Sequence, residues 1–160
     1  MLIATLDGGC WKNPGGPAAA ACIITRDGIE VYRTSKLLPE HPKMTNNVAE
    51  FEGMKLILEW LQDNSIAEHA HIISDSQIVI NRLSGKSRKP PVGACAGIAK
   101  ECLRLYMQAE RKITFEWKSR LANTECDHLC TQKMRQYMRS SKVPSYMNDD
   151  KGFRYGAETI

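Results

Sequence analysis

The apolar positions of this chain change period several times, and each change marks an element. Residues 2–7, LIATLD, alternate with a period of two, the mark of a strand with one buried face. Residues 19–25 (AAACIIT) and 29–36 (IEVYRTSK) read as two more strands, joined by an Arg26-Asp27-Gly28 hairpin turn. Cys10 to Pro17, CWKNPGGP, reads as a turn region. From about Thr45 to Gln62 the period becomes helical: Val48, Phe51, Met54, Ile57, Leu58 and Leu61 share a stripe. Thr45 or Asn46 suits its N-cap, and Asn64 its stop. Residues 70–74 (AHIIS) predict a short buried strand, and 75–84 a helix with Ile78, Val79 and Leu83 apolar. A basic, proline-broken loop, GKSRKPP, leads to a helix over 92–109 bearing Ile98, Cys102, Leu105 and Tyr106. In 112–118, KITFEWK, Ile113, Phe115 and Trp117 alternate with polar neighbours and predict a strand; the last helix runs from about Asn123 to Met138. The order βββαβααβα implies an α/β fold: a five-stranded mixed sheet, three antiparallel strands then two parallel, flanked by helices.

Length and composition fit this picture and narrow it. With 160 residues, 42% hydrophobic and 25% charged, the chain suits one domain, expected over 1–140. The polar stretch 141–160 carries Pro144, Asn148-Asp149-Asp150 and Gly152 and is expected to be a flexible or loosely packed, charge-balanced tail. No apolar run is long enough to span a membrane, and the opening MLIATLDGG lacks the basic start of a secretory leader. A net charge of +4 permits a phosphate-rich partner without demanding one. The cysteines Cys10, Cys22, Cys95, Cys102, Cys126 and Cys130 read as free thiols of a reducing, cytoplasmic compartment. Cys126, His128 and Cys130 raise the question of zinc. On a helix, however, His128 points away from the two thiols, and no second ligand pair stands at metal spacing, so zinc is not expected.

Four carboxylates carry the candidate chemistry. Asp7 ends the first strand before Gly8-Gly9, where a turn acid is the plain alternative. Glu50 has Met54 and Ile57 at i+4 and i+7, on or beside the apolar stripe, whereas Glu52 and Glu59 fall on the polar side with Lys55. Asp75 stands where strand meets helix and taken alone would serve as a cap. Asp127 has Cys130 and Met134 at i+3 and i+7 on the last helix. An unpaired carboxylate on an apolar stripe is costly. Four acids meeting at one point would repel strongly unless divalent cations joined them, and hard oxygen donors suit Mg²⁺ or Mn²⁺.

The residues around these acids resemble the ribonuclease H type 1 family. LDGGCWKNPGGPAAAACII (6–24) is similar to its first hairpin, MTNNVAEFEGM (44–54) to its Thr-Asn-Asn helix entry, ISDSQIVI (73–80) to its Asp-Ser-Gln junction, and EWKSRLANTECDHL (116–129) to its Trp strand and final Asp. The resemblance implies an RNase H-like fold and an endonuclease that hydrolyses the RNA strand of RNA–DNA hybrids with two Mg²⁺ ions (or Mn²⁺), leaving 5′-phosphate and 3′-hydroxyl ends. It places catalytic, metal-binding roles on Asp7, Glu50, Asp75 and Asp127. Asp7 would bridge both ions, Glu50 and Asp75 hold one, and Asp127 hold the other. It places substrate contacts at Gly8, Cys10, Asn13, Thr45, Asn46, Asn47 and Gln77. Amides and hydroxyls of this kind can read a 2′-hydroxyl and groove shape without choosing a sequence. Lys12, Lys43, Lys86, Arg88, Lys89, Lys118 and Arg120 are candidate phosphate contacts.

Two features depart from the family pattern. Ser119 to Cys126 contains no loop His of the kind many members carry before the last Asp, which leaves Arg120 or Glu125 as candidates to substitute for it in part. The loop GKSRKPP is short and has no Trp, so the basic protrusion of some members is missing. The expected partner is an RNA–DNA hybrid, with no membrane, no obligate protein partner and a monomer as default. The alternatives are a catalytically silent nucleic-acid-binding module on the same fold, or a different nuclease of the superfamily.

Overall fold

The computed structural model describes residues 1–64 and 67–140. The expectation of a loose tail over 141–160 falls outside them. The elements are β1 (Leu2–Cys10), β2 (Ala18–Arg26), β3 (Ile29–Leu38), α1 (Asn46–Asp63), β4 (Ala70–Ser74), α2 (Gln77–Leu83), α3 (Cys95–Gln108), β5 (Ile113–Trp117) and α4 (Thr124–Met138), with a short 3-10 turn at Arg120–Asn123. The sheet order is β3-β2-β1-β4-β5. β1–β2 and β2–β3 pair antiparallel, and β1–β4 and β4–β5 pair parallel, as the pattern of periods predicts. The β2–β3 hairpin turns through Asp27 (φ 52°) and Gly28 (φ 80°), the doubly left-handed turn whose twist matches that of the strands.

Some element ends differ from the sequence expectation for physical reasons. β1 does not stop at Asp7: Gly8, Gly9 and Cys10 continue the ladder opposite Ala20, Ala19 and Ala18. Thr45 caps α1 by accepting from the Val48 N–H, so neither Asn46 nor Asn47 is used as the cap. α2 begins two residues later than the pattern suggests because Ser76, not Asp75, is its N-cap, accepting from Val79 N. α3 begins at Cys95 rather than at residue 92, because Gly93 takes a left-handed φ of 65° that no right-handed helix includes. Arg120–Asn123 is a 3-10 turn rather than open loop.

The two faces of the sheet are packed differently. On one, Leu2, Ala4, Leu6, Cys22, Ile24, Ala70 and Ile72 meet Phe51, Met54 and Ile57 of α1 and Ala99, Cys102 and Leu105 of α3. Each large side chain buried there contributes about 1.5–3 kcal/mol. On the other, α4 lays Cys126, Cys130, Met134 and Met138 over Ala19, Ala21 and Ile23 of β2. Burial pushes the Cys22, Cys102 and Cys126 thiols up to about 12, so they stay neutral small hydrophobes at physiological pH. After β1 the chain turns to one side of the sheet, and after β4 to the other. The carboxyl ends of these two parallel strands therefore open a crevice, the usual place for a ligand in such a sheet.

Candidate active site

Three of the four acids arrive at that crevice. The parallel register pairs Thr5 with Ile73, and continued by two residues it sets Asp7 beside Asp75. Glu50 reaches them because β1 and α1 touch backbone to backbone. A Cβ at Gly8 would lie 2.2 Å from the Ala49 carbonyl group, and one at Gly53 would lie 2.9 Å from the Asp7 carbonyl oxygen. Only glycine at these two positions lets the helix come close enough to the strand for Glu50 to stand over Asp7. One carboxylate oxygen each of Asp7, Glu50 and Asp75 lie within 4.8 Å of one another, the only such metal-compatible group among the described residues. Asp7 is 3% exposed.

The Asp75 corner is fastened from several sides. Ser74 Oγ accepts from Ser76 N at 3.0 Å, and the Trp117 indole donates to the Asp75 carbonyl at 2.9 Å. Arg120, on the turn after β5, brings its Nε to 3.5 Å from Asp75 Oδ2. The cleft holds about 460 Å³ and is lined by Asp7, Gly8, Asn46, Asn47, Glu50, Asp75, Ser76, Gln77, Ile78, Trp117 and Arg120. Carboxylates this close, all ionised, repel by on the order of 3 kcal/mol per pair at an effective dielectric of about 20. One guanidinium offsets part of that, whereas a divalent cation would turn each carboxylate into a ligand. The all-oxygen donor set therefore fits Mg²⁺ or Mn²⁺.

Asp127 stands apart from the group of three and does not line the cleft. It lies half-buried in the first turn of α4, beside Cys126, whose Sγ donates to the Thr5 carbonyl, and three residues before Cys130, whose Sγ donates to the Asp7 carbonyl at 3.6 Å. The start of α4 is tied to the same strand by the Asn123 side-chain amide, which donates to the Leu6 carbonyl. Asp127 is thus carried on a helix end anchored along Thr5–Asp7.

Among the other predicted residues, Gly8, Asn46, Asn47 and Gln77 line the cleft, while Cys10, Asn13 and Thr45 support it from behind. The Cys10 N–H is taken by Asn46 Oδ1 at 2.9 Å, and Asn13 Oδ1 accepts from Asn46 N at 3.4 Å. The Cys10 N–H is therefore engaged by the helix entry. Of the candidate phosphate contacts, Arg120 lines the cleft and Lys86 lies in a groove that shares Gln77 and Trp117 with it. Lys12, Lys43, Arg88, Lys89 and Lys118 are exposed elsewhere on the surface. Sequence reasoning did not single out Ser76, Ile78 or Trp117 for the site. The available signal for Trp117 was an aromatic closing a strand whose inward residues had already been counted, at the same level as the Asp75 corner.

A family model described as reverse transcriptase-like matches residues 5–133. No curated protein matches the chain significantly. Solved structures do. LC11-RNase H1, isolated from compost by a metagenomic approach and solved in complex with an RNA/DNA hybrid, aligns with a TM-score of 0.77 at 22% identity over 86% of this chain and 99% of its own. The N-terminal RNase H domain of a Mycobacterium tuberculosis protein, solved as a fusion with maltose-binding protein, aligns at 0.74 and 26% identity, over 84% of this chain and 94% of that one. RNase H1 from the archaeon Halobacterium salinarum aligns at 0.67 and 22%, over 84% and 98%. The fold described above is the fold of these proteins.

Proposed function

Because the chain belongs to the reverse transcriptase-like family of RNase H-fold domains, we propose that it is a metal-dependent ribonuclease H that hydrolyses the RNA strand of RNA–DNA hybrids. The observation that carries this reading is the set of Asp7, Glu50 and Asp75 oxygens within 4.8 Å of one another at the carboxyl ends of β1 and β4. A pure binding module has no use for clustered negative charge beside phosphates, and this counts against the silent alternative. The similarity to a structure solved with an RNA/DNA hybrid supports the choice of substrate over that of another nuclease.

Asp7, Glu50 and Asp75 would hold the metal, with Asp127 contributing from the α4 side of β1 to a second ion. Divalent ions held by these residues would supply a nucleophilic water at neutral pH and stabilise the leaving oxygen, consistent with 5′-phosphate and 3′-hydroxyl products. The chain's own residues do the rest. Asp7, on β1 and only 3% exposed, would fix the position of the reaction. Glu50 faces the cleft from the helix that also presents Asn46 and Asn47, so metal binding and ribose recognition come from one rigid element. Gln77 faces it from the start of α2. These amides donate and accept toward sugar edges, and a 2′-hydroxyl is what identifies one strand of a hybrid as RNA. The six free cysteines support an intracellular, reducing location.

The test is a cleavage panel with Mg²⁺ on RNA–DNA hybrid, double-stranded RNA and branched DNA. Cleavage of the hybrid's RNA strand, abolished by EDTA, is expected. Hybrid binding without cleavage in Mg²⁺ or Mn²⁺ would favour the silent module, and branched-DNA cleavage alone another nuclease.

A further inference from the structure

On the side of the sheet away from α1, β4 and β5 carry a group of polar side chains that the acid cleft does not use. Ala70 and Ile72 face the α1 core, so the strand's period of two turns His69 and His71 to the other side. The parallel register sets Thr114 beside His71 and Glu116 one pair further along. His69 Nε2 and His71 Nδ1 each lie 2.7 Å from the Thr114 hydroxyl oxygen, and His71 Nε2 lies 2.7 Å from Glu116 Oε1. An ionised carboxylate only accepts, so neutral His71 carries its proton on Nε2 and turns the lone pair of Nδ1 toward Thr114. Two imidazole nitrogens from one strand thus converge on one hydroxyl. The place is partly open to water, since the His71 side chain is 22% exposed and that of Glu116 43%. In a helix a His-x-His spacing would point the two rings apart, whereas in a strand it puts them on one face.

We propose that His69 and His71 form a nitrogen-donor metal site, apart from the acid cleft, that takes a Zn²⁺ ion in place of the Thr114 hydroxyl. The donors decide the class of ion. Imidazole suits Zn²⁺ and its transition-metal neighbours, whereas the carboxylates of the cleft suit Mg²⁺ or Mn²⁺. His69 Nε2 and His71 Nδ1 are the protein ligands, and water fills the remaining positions. Glu116 acts from outside: a carboxylate on the far nitrogen of a ligating histidine fixes the ring and raises its basicity. Burial, helped by the nearby Lys112 charge, holds His69 below the ordinary histidine range, so the ring is neutral at pH 7. Binding then releases no net proton. The His69 proton passes from Nε2 to Nδ1, and the Thr114 hydroxyl rotates toward water. β4 runs on from these residues to Asp75, so an ion held here braces the strand that delivers one acid of the cleft. The site is built on other side chains than the cleft and does not depend on the hydrolase reading.

The experiment titrates the full chain with Zn²⁺ in saturating Mg²⁺ and follows the ring nitrogens of its 4 histidines by NMR. His41 and His128, exposed elsewhere, serve as internal controls. His69 Nε2 and His71 Nδ1 are expected to shift together and to saturate at one ion, before His41 or His128 responds. Calorimetry under the same conditions should show Glu116→Gln binding Zn²⁺ about tenfold more weakly, and His69→Gln or His71→Gln more weakly still. Excess Zn²⁺ should raise the Tm of the wild type and leave that of His69→Gln nearly unmoved. Zn²⁺ taken by the thiols or by the acid cleft would leave the His69 and His71 rings unshifted, and that result overturns the site. So does a response of all four histidines at the same Zn²⁺ concentration, or an affinity unchanged in both Glu116→Gln and His69→Gln. Should a histidine variant fail to fold, the wild-type ring shifts and the partly exposed Glu116→Gln decide. Hybrid cleavage in Mg²⁺ alone should be unchanged in His69→Gln. A wild type that cleaves nothing strikes the hydrolase reading and not this site, and rings that do not shift strike this site and not that reading.

Discussion

At the amino end of β1, Glu68 receives the Arg26 guanidinium at 2.5 Å and has the terminal ammonium at 3.7 Å, and Arg111 donates to the Leu61 carbonyl at the end of α1. At the carboxyl end of the same strand, about 17 Å away for five residues of rise, Asp7, Glu50 and Asp75 crowd within 4.8 Å, with Arg120 at 3.5 Å from one of them. The first arrangement is closed, with cations matched to acceptors within the chain. The second gathers three carboxylates of like charge around one opening. Both ends are built on one strand and one helix, so the difference lies in where charges are put and not in the quality of the packing. One end of the strand groups like charges, where the other alternates opposite ones.

Substitutions that separate the two ends sharpen this contrast. The largest effect belongs to the acids: Asp7→Asn or Asp75→Asn should lower hybrid cleavage by about a thousandfold or more, the several kcal/mol that metal chemistry contributes. Asp7→Asn should also melt about 2–4 °C higher than the wild type in EDTA, because repulsion is relieved, and both variants should lose the stabilisation that Mg²⁺ gives the wild type. Melting curves with and without Mg²⁺ check both; a lower Tm in EDTA would mean that these acids are already compensated. Next comes Gly8→Ala. Its Cβ would meet the Ala49 backbone at 2.2 Å, so α1 must retreat from β1. A loss of about 1–3 kcal/mol in urea titration is expected, together with loss of Mg²⁺-dependent stabilisation, since Glu50 retreats with the helix. The smallest belongs to the closed end. The Arg26 hydrogen bond holds the Glu68 carboxyl below the ordinary range. Its contribution is therefore present above the ordinary carboxylate value and is lost as pH falls toward the lowered one. Glu68→Gln should cost about 1–3 °C of Tm at pH 7, a deficit that shrinks in acid, with cleavage unchanged.

Much of this was legible along the chain, and the parts that were not have a common cause. The 2.0 and 3.6 periods marked every strand and helix, and the separation of Glu50 from Glu52 and Glu59 followed from helical phase alone. The glycines after Asp7 fall outside the strand in the sequence pattern, because a strand that needs thinness and a turn that needs freedom use the same residue. Asp75 looked like a cap because nothing local favours Ser76 over it. The link from Cys10 to Asn46, that from Asn123 to Leu6 and the approach of Arg120 to Asp75 join residues 36, 117 and 45 positions apart. Such contacts are decided when sheet and helices dock and leave no periodic trace. The group of three acids was expected with its fourth member, and the separation of Asp127 from it was not readable from its helix phase.

The run Ala18–Ala21 is buried between helices on both sides, with Ala18 against Ala49 of α1 and Ala19 and Ala21 against Cys126 and Cys130 of α4. Single methyl groups therefore act as the spacer that sets how far α1, bearing Glu50, stands from α4, bearing Asp127. A valine or leucine arising there by drift would widen the gap between the two walls without touching a single acid, so the spacing of the acids is inherited through a strand that carries none of them.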